Sequence, residues 1–337
     1  MPKPAVLHIG EPIKYNHEFY ENEFLSRFNV VQDEEPDRAS FMEALKSKKY
    51  GDFSAIYRPH FQTGGEIGQW DDELIPIFPA SVRIFASAGA RFNWANVDAL
   101  AGLATRKIWY SNGAGASDEA VSDTALYPTQ RYSLQHIRLS LRSREIPGGH
   151  ILGIIGLGNI SKKLAYKAKT ALGMDIHYYD AVRASEEEEK TLGATFHASL
   201  DDLLKIADCI SLHRPLNKHT QNLIDAKAIA LMKPGSRIVN TARGLVVNEN
   251  ALVAALVCGH ISAVALDVHY HEPQVSKKLA AMEQCTLTTH IAGGALDTRI
   301  NFEVAAMKNI IAVLGPDDEC IGTPLTPVNA KAYNAAA

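Results

Sequence analysis

Two α/β domains, each a doubly wound parallel sheet, with a cleft between them, form the architecture this sequence predicts. Three observations carry that expectation. Short apolar runs alternate with helical patterns along almost the whole chain, as parallel strands joined by crossover helices require. One such run, residues 151–155, opens a strand–turn–helix–strand unit that ends on Asp180. The length of 337 residues is enough for two cores, on a prior of one domain per ~150 residues.

The first third shows the alternation plainly. Residues 5–9, 29–32, 53–58, 82–87 and 107–110 have strand patterns, with helical patterns such as 38–48 and 97–103 between them. A helix is expected from Ser117, with Asp118 and Glu119 in its first turn at the positive end of its dipole. Pro128 should kink or stop that helix. The segment from Gln130 to Pro147-Gly148-Gly149 then leads into the second domain.

The unit from His150 to Asp180 organises the second domain. Its opening run suits a strand buried on both faces. Gly156 permits a tight turn, and Gly158 lets the backbone approach a phosphate with no Cβ in the way. Ser161 stands where a third glycine is common, a slightly larger contact between helix and sheet. Free N–H groups at the start of the helix, around Asn159 and Ile160, would face the negative charge. Ile160, Leu164, Ala168 and Leu172 form its apolar side, and a second strand over 174–179 leads to Asp180. An acid about two dozen positions after the first glycine completes a dinucleotide-binding fingerprint, a Rossmann unit. Asp180 would accept hydrogen bonds from the adenosine ribose. Its charge would oppose a 2′-phosphate by on the order of 4 kcal/mol per charge pair at ~4 Å, which favours NAD over NADP. Arg183 is the nearby cation that could compensate.

Composition bounds the alternatives. A hydrophobic fraction of 46% with 21% charged residues fits a globular protein with substantial cores. The net charge of −4 gives no reason to expect nucleic acid or an anionic membrane as partner. No apolar run is long enough for a membrane span, and the N-terminus shows no signal-peptide pattern. The 4 cysteines stand far apart with no metal-ligand spacing, so reduced thiols in a cytoplasmic protein and no metal are expected. The acidic run 186–189 suits a solvated helix face.

Beyond Asp180 the alternation continues, with strands expected over 209–213, 237–241, 263–268 and 286–291 and helices over 200–207, 226–232 and 250–257. A last long helix, 298–314, would cross back to the first domain, and the proline-bearing tail after Gly315 should be extended. Ligands in open α/β sheets sit beyond the carboxyl ends of the strands. Three such ends here carry Arg243, Glu272 and His290. An arginine fork suits a carboxylate, a histidine suits proton transfer near neutral pH, and a glutamate beside it favours the imidazolium. Each alone has an ordinary surface or core explanation, since the chain holds 13 histidines. Their positions on successive strand ends make the joint reading.

The segments NTARG (240–244), ALDVHYHEP (265–273) and TTHIAG (288–293), with GLGNIS, HRPL and MKPGSRIVN in the same order, resemble the D-isomer specific 2-hydroxyacid dehydrogenases. The wording is most similar to the fungal D-mandelate dehydrogenase-like branch. The resemblance covers about residues 82–314. It implies a flavodoxin-like substrate-binding domain of residues 1–122 plus 296–337, and an NAD-binding Rossmann domain of residues 123–295. It implies NAD-dependent, reversible reduction of a 2-oxo acid to a D-2-hydroxy acid with a bulky side chain, aromatic or branched. His290 would be the general acid and base, paired with Glu272, and Arg243 would bind the substrate carboxylate and carbonyl. Asp267 would hold the nicotinamide carboxamide. His213, Pro215, Thr241 and Gly293 would line the cofactor with Gly156, Gly158, Asn159, Ile160, Asp180, Arg243 and His290. The loop SAGARFNW (87–94) would cradle the substrate carboxylate with backbone N–H groups near Ala88 and Gly89. A homodimer through the cofactor domain is also implied.

Four features depart from the family pattern. Arg91 and Asn93 stand where a glycine and an aspartate are more usual, Arg214 is unusual beside the cofactor ribose, and the stretch 125–149 is short. The alternatives are a glyoxylate or hydroxypyruvate reductase, an NAD-binding corepressor-like protein, and an inactive relic of the same fold.

Overall fold

The structure, a computed structural model, describes residues 3–60, 67–90, 92, 94–102, 107–135 (backbone alone over 128–135) and 147–335. The chain divides into two compact units, Met1–Ser117 with Ala295–Ala337, and Asp118–Gly294.

The first unit is built on β1 (Ala5–His8), β2 (Asn29–Gln32), β3 (Ala55–Arg58), β4 (Ile84–Ser87) and β5 (Trp109–Ser111), in the order β2-β1-β3-β4-β5. All its pairings are parallel. β3 and β4 are buried along their whole length, as interior strands covered on both faces must be. One face carries an aromatic core, in which Trp70 lies 4.5 Å from Phe85 and 5.8 Å from Phe41, centroid to centroid. Phe41 comes from the helix Arg38–Lys46, whose first turn is capped by the Asp37 side chain accepting the Ser40 N–H at 2.9 Å. On the other face, Ala306, Met307, Ile310 and Val313 of the helix Leu296–Val313 pack on Val6, Tyr57, Ile84 and Ala86. The late helix therefore belongs to this unit. The tail does not stay extended to its end: it closes in a short helix, Ala330–Ala335, with Tyr333 stacked on Trp109 at 3.6 Å. No proline follows Pro327, so the alanine-rich end is free to coil.

The second unit holds β6 (Ile151–Ile155), β7 (Asp175–Tyr179), β8 (Ala194–Phe196), β9 (Cys209–Leu212), β10 (Ser236–Asn240), β11 (Ile261–Leu266) and β12 (Cys285–Leu287). Their order is β12-β11-β10-β9-β6-β7-β8, again parallel throughout. The winding reverses between β6 and β9, which places a topological switch point, the usual ligand crevice of such sheets, at their carboxyl ends. β8, a three-residue edge strand with only Ala194 buried, is too short to leave an alternating pattern in the sequence.

Two local expectations change. The helix Asp118–Gln135 runs through Pro128 without stopping. A proline withdraws one backbone donor and crowds the turn before it. The N-terminal half of this helix is anchored well enough to continue, with Ala125 fully buried and Lys167 paired with Glu119 and Asp123, each at 2.6 Å. Residues 136–146, the centre of the short stretch 125–149, lie outside the described residues. The acidic run 186–189 is the first turn of the helix Glu186–Leu192, and only half of it is a solvated face. Glu188 closes a capping box with Ser185, and Glu189 binds Arg183 through two bonds of 2.8 Å while accepting the Tyr178 hydroxyl at 2.6 Å. No described helix is long and apolar enough to cross a membrane.

Candidate active site

The glycine turn after β6 is shaped by two different needs. Gly156 has φ +97°, and a Cβ there would stand 2.9 Å from the Arg214 Cδ, so both backbone and space demand glycine. Gly158 has φ −97°, and a Cβ there would meet nothing within 4 Å. Protein packing does not explain this second glycine, whereas close approach of a phosphate from the open side does. Gly158 is the N-cap of the helix Asn159–Leu172 and supplies no side-chain acceptor, which leaves the first-turn N–H groups of Asn159 and Ile160 for an anion. Ser161 is fully buried, and its hydroxyl donates to the Gly156 carbonyl at 2.7 Å, latching the turn from within. The larger residue thus adds a bond where a glycine would only have left room.

Asp180, one residue past β7, accepts the Leu157 N–H at 2.8 Å through Oδ2 and the Ala181 N–H at 2.6 Å through Oδ1. Its cationic partner is Arg214, which pairs with Oδ1. Arg183, the cation closer in sequence, is held by Glu189 instead. Strand order explains the exchange: Arg214 follows β9, β9 neighbours β6, and β6 neighbours β7, so the arginine reaches over Gly156 to Asp180. His213 continues the β9 ladder, its N–H donating to Ile155 O at 2.9 Å, and its Nε2 lies 2.8 Å from the Ser211 hydroxyl. The Pro215 carbonyl accepts the Thr220 hydroxyl at 2.6 Å. The Thr241 hydroxyl oxygen, just past β10, is buried with no hydrogen-bond partner among the described residues. The open side of Gly158 and this unpartnered hydroxyl are both what a bound dinucleotide would satisfy, so the residues fit the cofactor.

The strand ends of β10, β11 and β12 bring the chemical groups together. Arg243 begins the turn Gly244–Val246, and its Nη1 donates to its neighbour Ala242 O at 2.8 Å. Burial brings its guanidinium down to about 10, against the pull of Glu272, so it stays charged at neutral pH. Glu272 accepts the His269 N–H at 2.9 Å through Oε1, and its Oε2 lies 2.9 Å from His290 Nδ1. Burial alone pushes the Glu272 carboxyl up, but the bonds from His290 and His269 and the charge of Arg243 outweigh it, so it titrates below the usual glutamate range. An ionised carboxylate only accepts, so Nδ1 carries the proton. Nε2 has no hydrogen-bond partner among the described residues, so that edge of the ring is open to a ligand.

His290 is held in the left-handed region, φ +58°, with its N–H donating to Asp267 O at 2.7 Å. A bulky residue there is strained, a cost functional sites sustain when the surroundings impose it. Asp267 does much of the imposing. Its carboxylate accepts the Thr288 hydroxyl at 2.7 Å and the N–H groups of Ile291 and Ala292 at 2.9 and 3.0 Å. Three of its roughly four acceptor positions are thus used on the His290 loop, where sequence had suggested only a cofactor contact. Gly293 lies at the end of that loop. His269 is a further site residue that sequence reasoning missed. It is buried, its ring Nε2 lies 2.7 Å from Thr288 O, and its N–H fixes Glu272. Its spacing three before Glu272 was the available signal.

In the first unit the loop after β4 is only partly as expected. The Ala88 N–H donates to Arg58 O at 2.8 Å, continuing the sheet, so Ala88 offers no amide to a substrate. Gly89, with φ +81°, turns the chain, and its N–H enters no hydrogen bond among the described residues. Arg91 and Asn93 lie outside the described residues.

The profile of the D-isomer specific 2-hydroxyacid dehydrogenase NAD binding domain matches residues 129–292. A 4-methyl-2-oxopentanoate reductase A of Aspergillus oryzae is 32% identical over 318 residues, covering 91% of this chain and 94% of that protein. The holo D-mandelate dehydrogenase of Rhodotorula graminis superposes with a TM-score of 0.90 at 40% identity, covering 97% of this chain and 98% of that one. A glyoxylate reductase from Paecilomyes thermophila gives 0.86 at 33% identity over 98% of this chain and 100% of that one. With relatives of this likeness across both units, and an NAD-binding domain recognised in the second, the chain belongs to the D-isomer specific 2-hydroxyacid dehydrogenase family of NAD-dependent oxidoreductases.

Proposed function

We propose that the chain reduces a bulky 2-oxo acid, aromatic or branched, to the D-2-hydroxy acid, reversibly, with His290 as the general acid. The observation that carries this reading is the Glu272–His290 pair, with Nδ1 engaged at 2.9 Å and Nε2 left open. The nicotinamide cofactor, when bound, supplies the hydride. The Arg243 guanidinium binds the substrate carboxylate and orients the carbonyl. His290, doubly protonated, donates its Nε2 proton to the carbonyl oxygen and keeps Nδ1–H on Glu272. The reverse reaction uses the same nitrogen as base. Relatives named for 4-methyl-2-oxopentanoate and D-mandelate support a branched or aromatic side chain. The likeness to a glyoxylate reductase supports a second reading, glyoxylate or hydroxypyruvate as substrate.

The test follows NADH oxidation with phenylglyoxylate, 4-methyl-2-oxopentanoate, glyoxylate and hydroxypyruvate in parallel. A kcat/KM at least tenfold higher for one of the first two supports the bulky-substrate reading, and the opposite order rejects it. In His290→Ala, turnover should fall by ~10²–10⁴, the usual worth of proton transfer, with NADH still bound. Undiminished turnover would reject the role given to His290.

The same proposal makes the protein a cytoplasmic homodimer associating through Asp118–Gly294. Four free cysteines support the compartment. Tyr127 and Tyr166, 57% and 58% exposed on two helices of that unit, support the interface. A monomer mass by light scattering at micromolar concentration would reject the dimer.

A further inference from the structure

The Asp180–Arg214 pair bears on which dinucleotide the second unit takes. An aspartate alone at the adenosine ribose accepts hydrogen bonds from its hydroxyls and repels a 2′-phosphate. Arg214 changes the charge at that point. Its stem crosses the turn so closely that a Cβ on Gly156 would stand 2.9 Å from Cδ and 3.2 Å from Cγ, and its guanidinium meets Asp180 Oδ1. The side chains of Arg214 and Asp180 are 22% and 19% exposed, half-sheltered at the mouth of the glycine turn. The other cations nearby are committed elsewhere: Arg183 to Glu189 at 2.8 Å, and Lys162 to Glu188. Among the described residues Arg214 is therefore the cation paired with the acid expected at the ribose.

We infer that Arg214 is a specificity-determining residue, and that it admits a 2′-phosphorylated dinucleotide beside the unphosphorylated one. The paired charges of Asp180 and Arg214 sum to zero, which removes the repulsion an unpaired aspartate would exert. That repulsion, for a unit charge pair at ~4 Å in an effective dielectric of ~20, amounts to about a thousandfold in affinity. A guanidinium carries five N–H donors in a planar fork suited to phosphate oxygens. It can swing from the carboxylate to a 2′-phosphate while its stem stays over Gly156. With NAD bound, Asp180 keeps acceptor positions for the ribose. This inference rests on the cofactor reading of the second unit and deepens it.

The test is a direct binding titration of the full chain with NADH and with NADPH, followed by nicotinamide fluorescence at fixed ionic strength. In the wild type the two dissociation constants should agree within about tenfold. In Arg214→Leu the ratio Kd(NADPH)/Kd(NADH) should rise about a hundredfold, close to 2.7 kcal/mol. Arg214→Lys, which keeps the charge, should hold the ratio within about tenfold of the wild type, and serves as the folded reference if the leucine variant fails to fold. Arg214→Gln then replaces leucine as the uncharged variant. Raising salt should weaken NADPH binding more steeply than NADH binding in the wild type, and less steeply in the uncharged variant, where salt screens the repulsion by the unpaired Asp180. NADH binding without measurable NADPH binding in the wild type overturns the role of Arg214 alone. So does an unchanged ratio in the uncharged variant. Binding of neither dinucleotide overturns the cofactor reading itself.

Discussion

Gly244 lies so close to the backbone of His269 that a Cβ on residue 244 would stand 2.0 Å from the His269 carbonyl carbon and oxygen. The contact joins the two halves of the candidate site, since Arg243 precedes one residue and Glu272 hangs from the N–H of the other. The obstacle is main chain, so no rotamer change relieves it. Gly244→Ala should cost ~1–3 kcal/mol as overpacking, lowering Tm by roughly 5 °C for a unit of this size, and should reduce turnover. A thermal melt by circular dichroism checks it. An unchanged Tm would mean that the strand ends can slide apart.

Glu272→Gln separates orientation from charge. Glutamine can still accept the His269 N–H, but it no longer stabilises a protonated His290. In the proposed mechanism reduction uses that protonated ring, so kcat for reduction should fall by about 10- to 100-fold, within the range of acid–base contributions. Substrate KM, which the proposed mechanism assigns to Arg243, should move little. A loss confined to KM, or an undiminished kcat, would argue against the pairing.

The glycine turn after β6 and the Glu272–His290 contact were legible because their causes are local. A tight turn needs glycine, a helix start needs open N–H groups, and strand-end motifs keep their order along the chain. What stayed hidden depends on strand order and on backbone contacts. Arg183 is three residues from Asp180 in sequence and binds elsewhere, whereas Arg214 arrives from the far side of β6 because β9 neighbours that strand. The hold of Asp267 on the His290 loop stayed hidden because the groups that bind its carboxylate lie about twenty positions later in the chain. The Ala88 N–H looked available until the β3–β4 pairing took it. Pro128 carries a strong local stop signal, and the helix continues through it to Gln135.

Asp267→Asn tests the hold on His290. An amide offers a single acceptor oxygen and turns its NH₂ toward groups that also donate. At least one of the Ile291 and Ala292 N–H groups then loses its partner, at a cost of about 1–3 kcal/mol for a buried donor. With the left-handed His290 less firmly imposed, kcat should drop more than the melting temperature alone explains. Activity retained at the wild-type level, with the stability loss present, would show that the loop keeps its shape without this carboxylate.

Acid sensitivity should originate away from the strand-end site, at His8. It is 2% exposed on β1, its ring 4.9 Å from Tyr57, and its Nε2 is buried with no hydrogen-bond partner among the described residues. Burial pushes its pKa down to about 4, against a backbone bond at Glu11 and the charge of Glu303, with His60 adding to the fall. The folded chain therefore leaves His8 neutral where the unfolded chain, with an ordinary histidine pKa near 6.5, takes up a proton. Stability is full above about pH 6.5 and is lost as pH falls toward 4, with a slope approaching one proton, or about 1.4 kcal/mol per pH unit. Across that window the loss is on the order of 3 kcal/mol. Urea unfolding at pH 7, 6 and 5 should show this decline in the wild type. His8→Leu, which cannot titrate, should flatten it by about one proton. Equal slopes in the two proteins would move the acid sensitivity to another group.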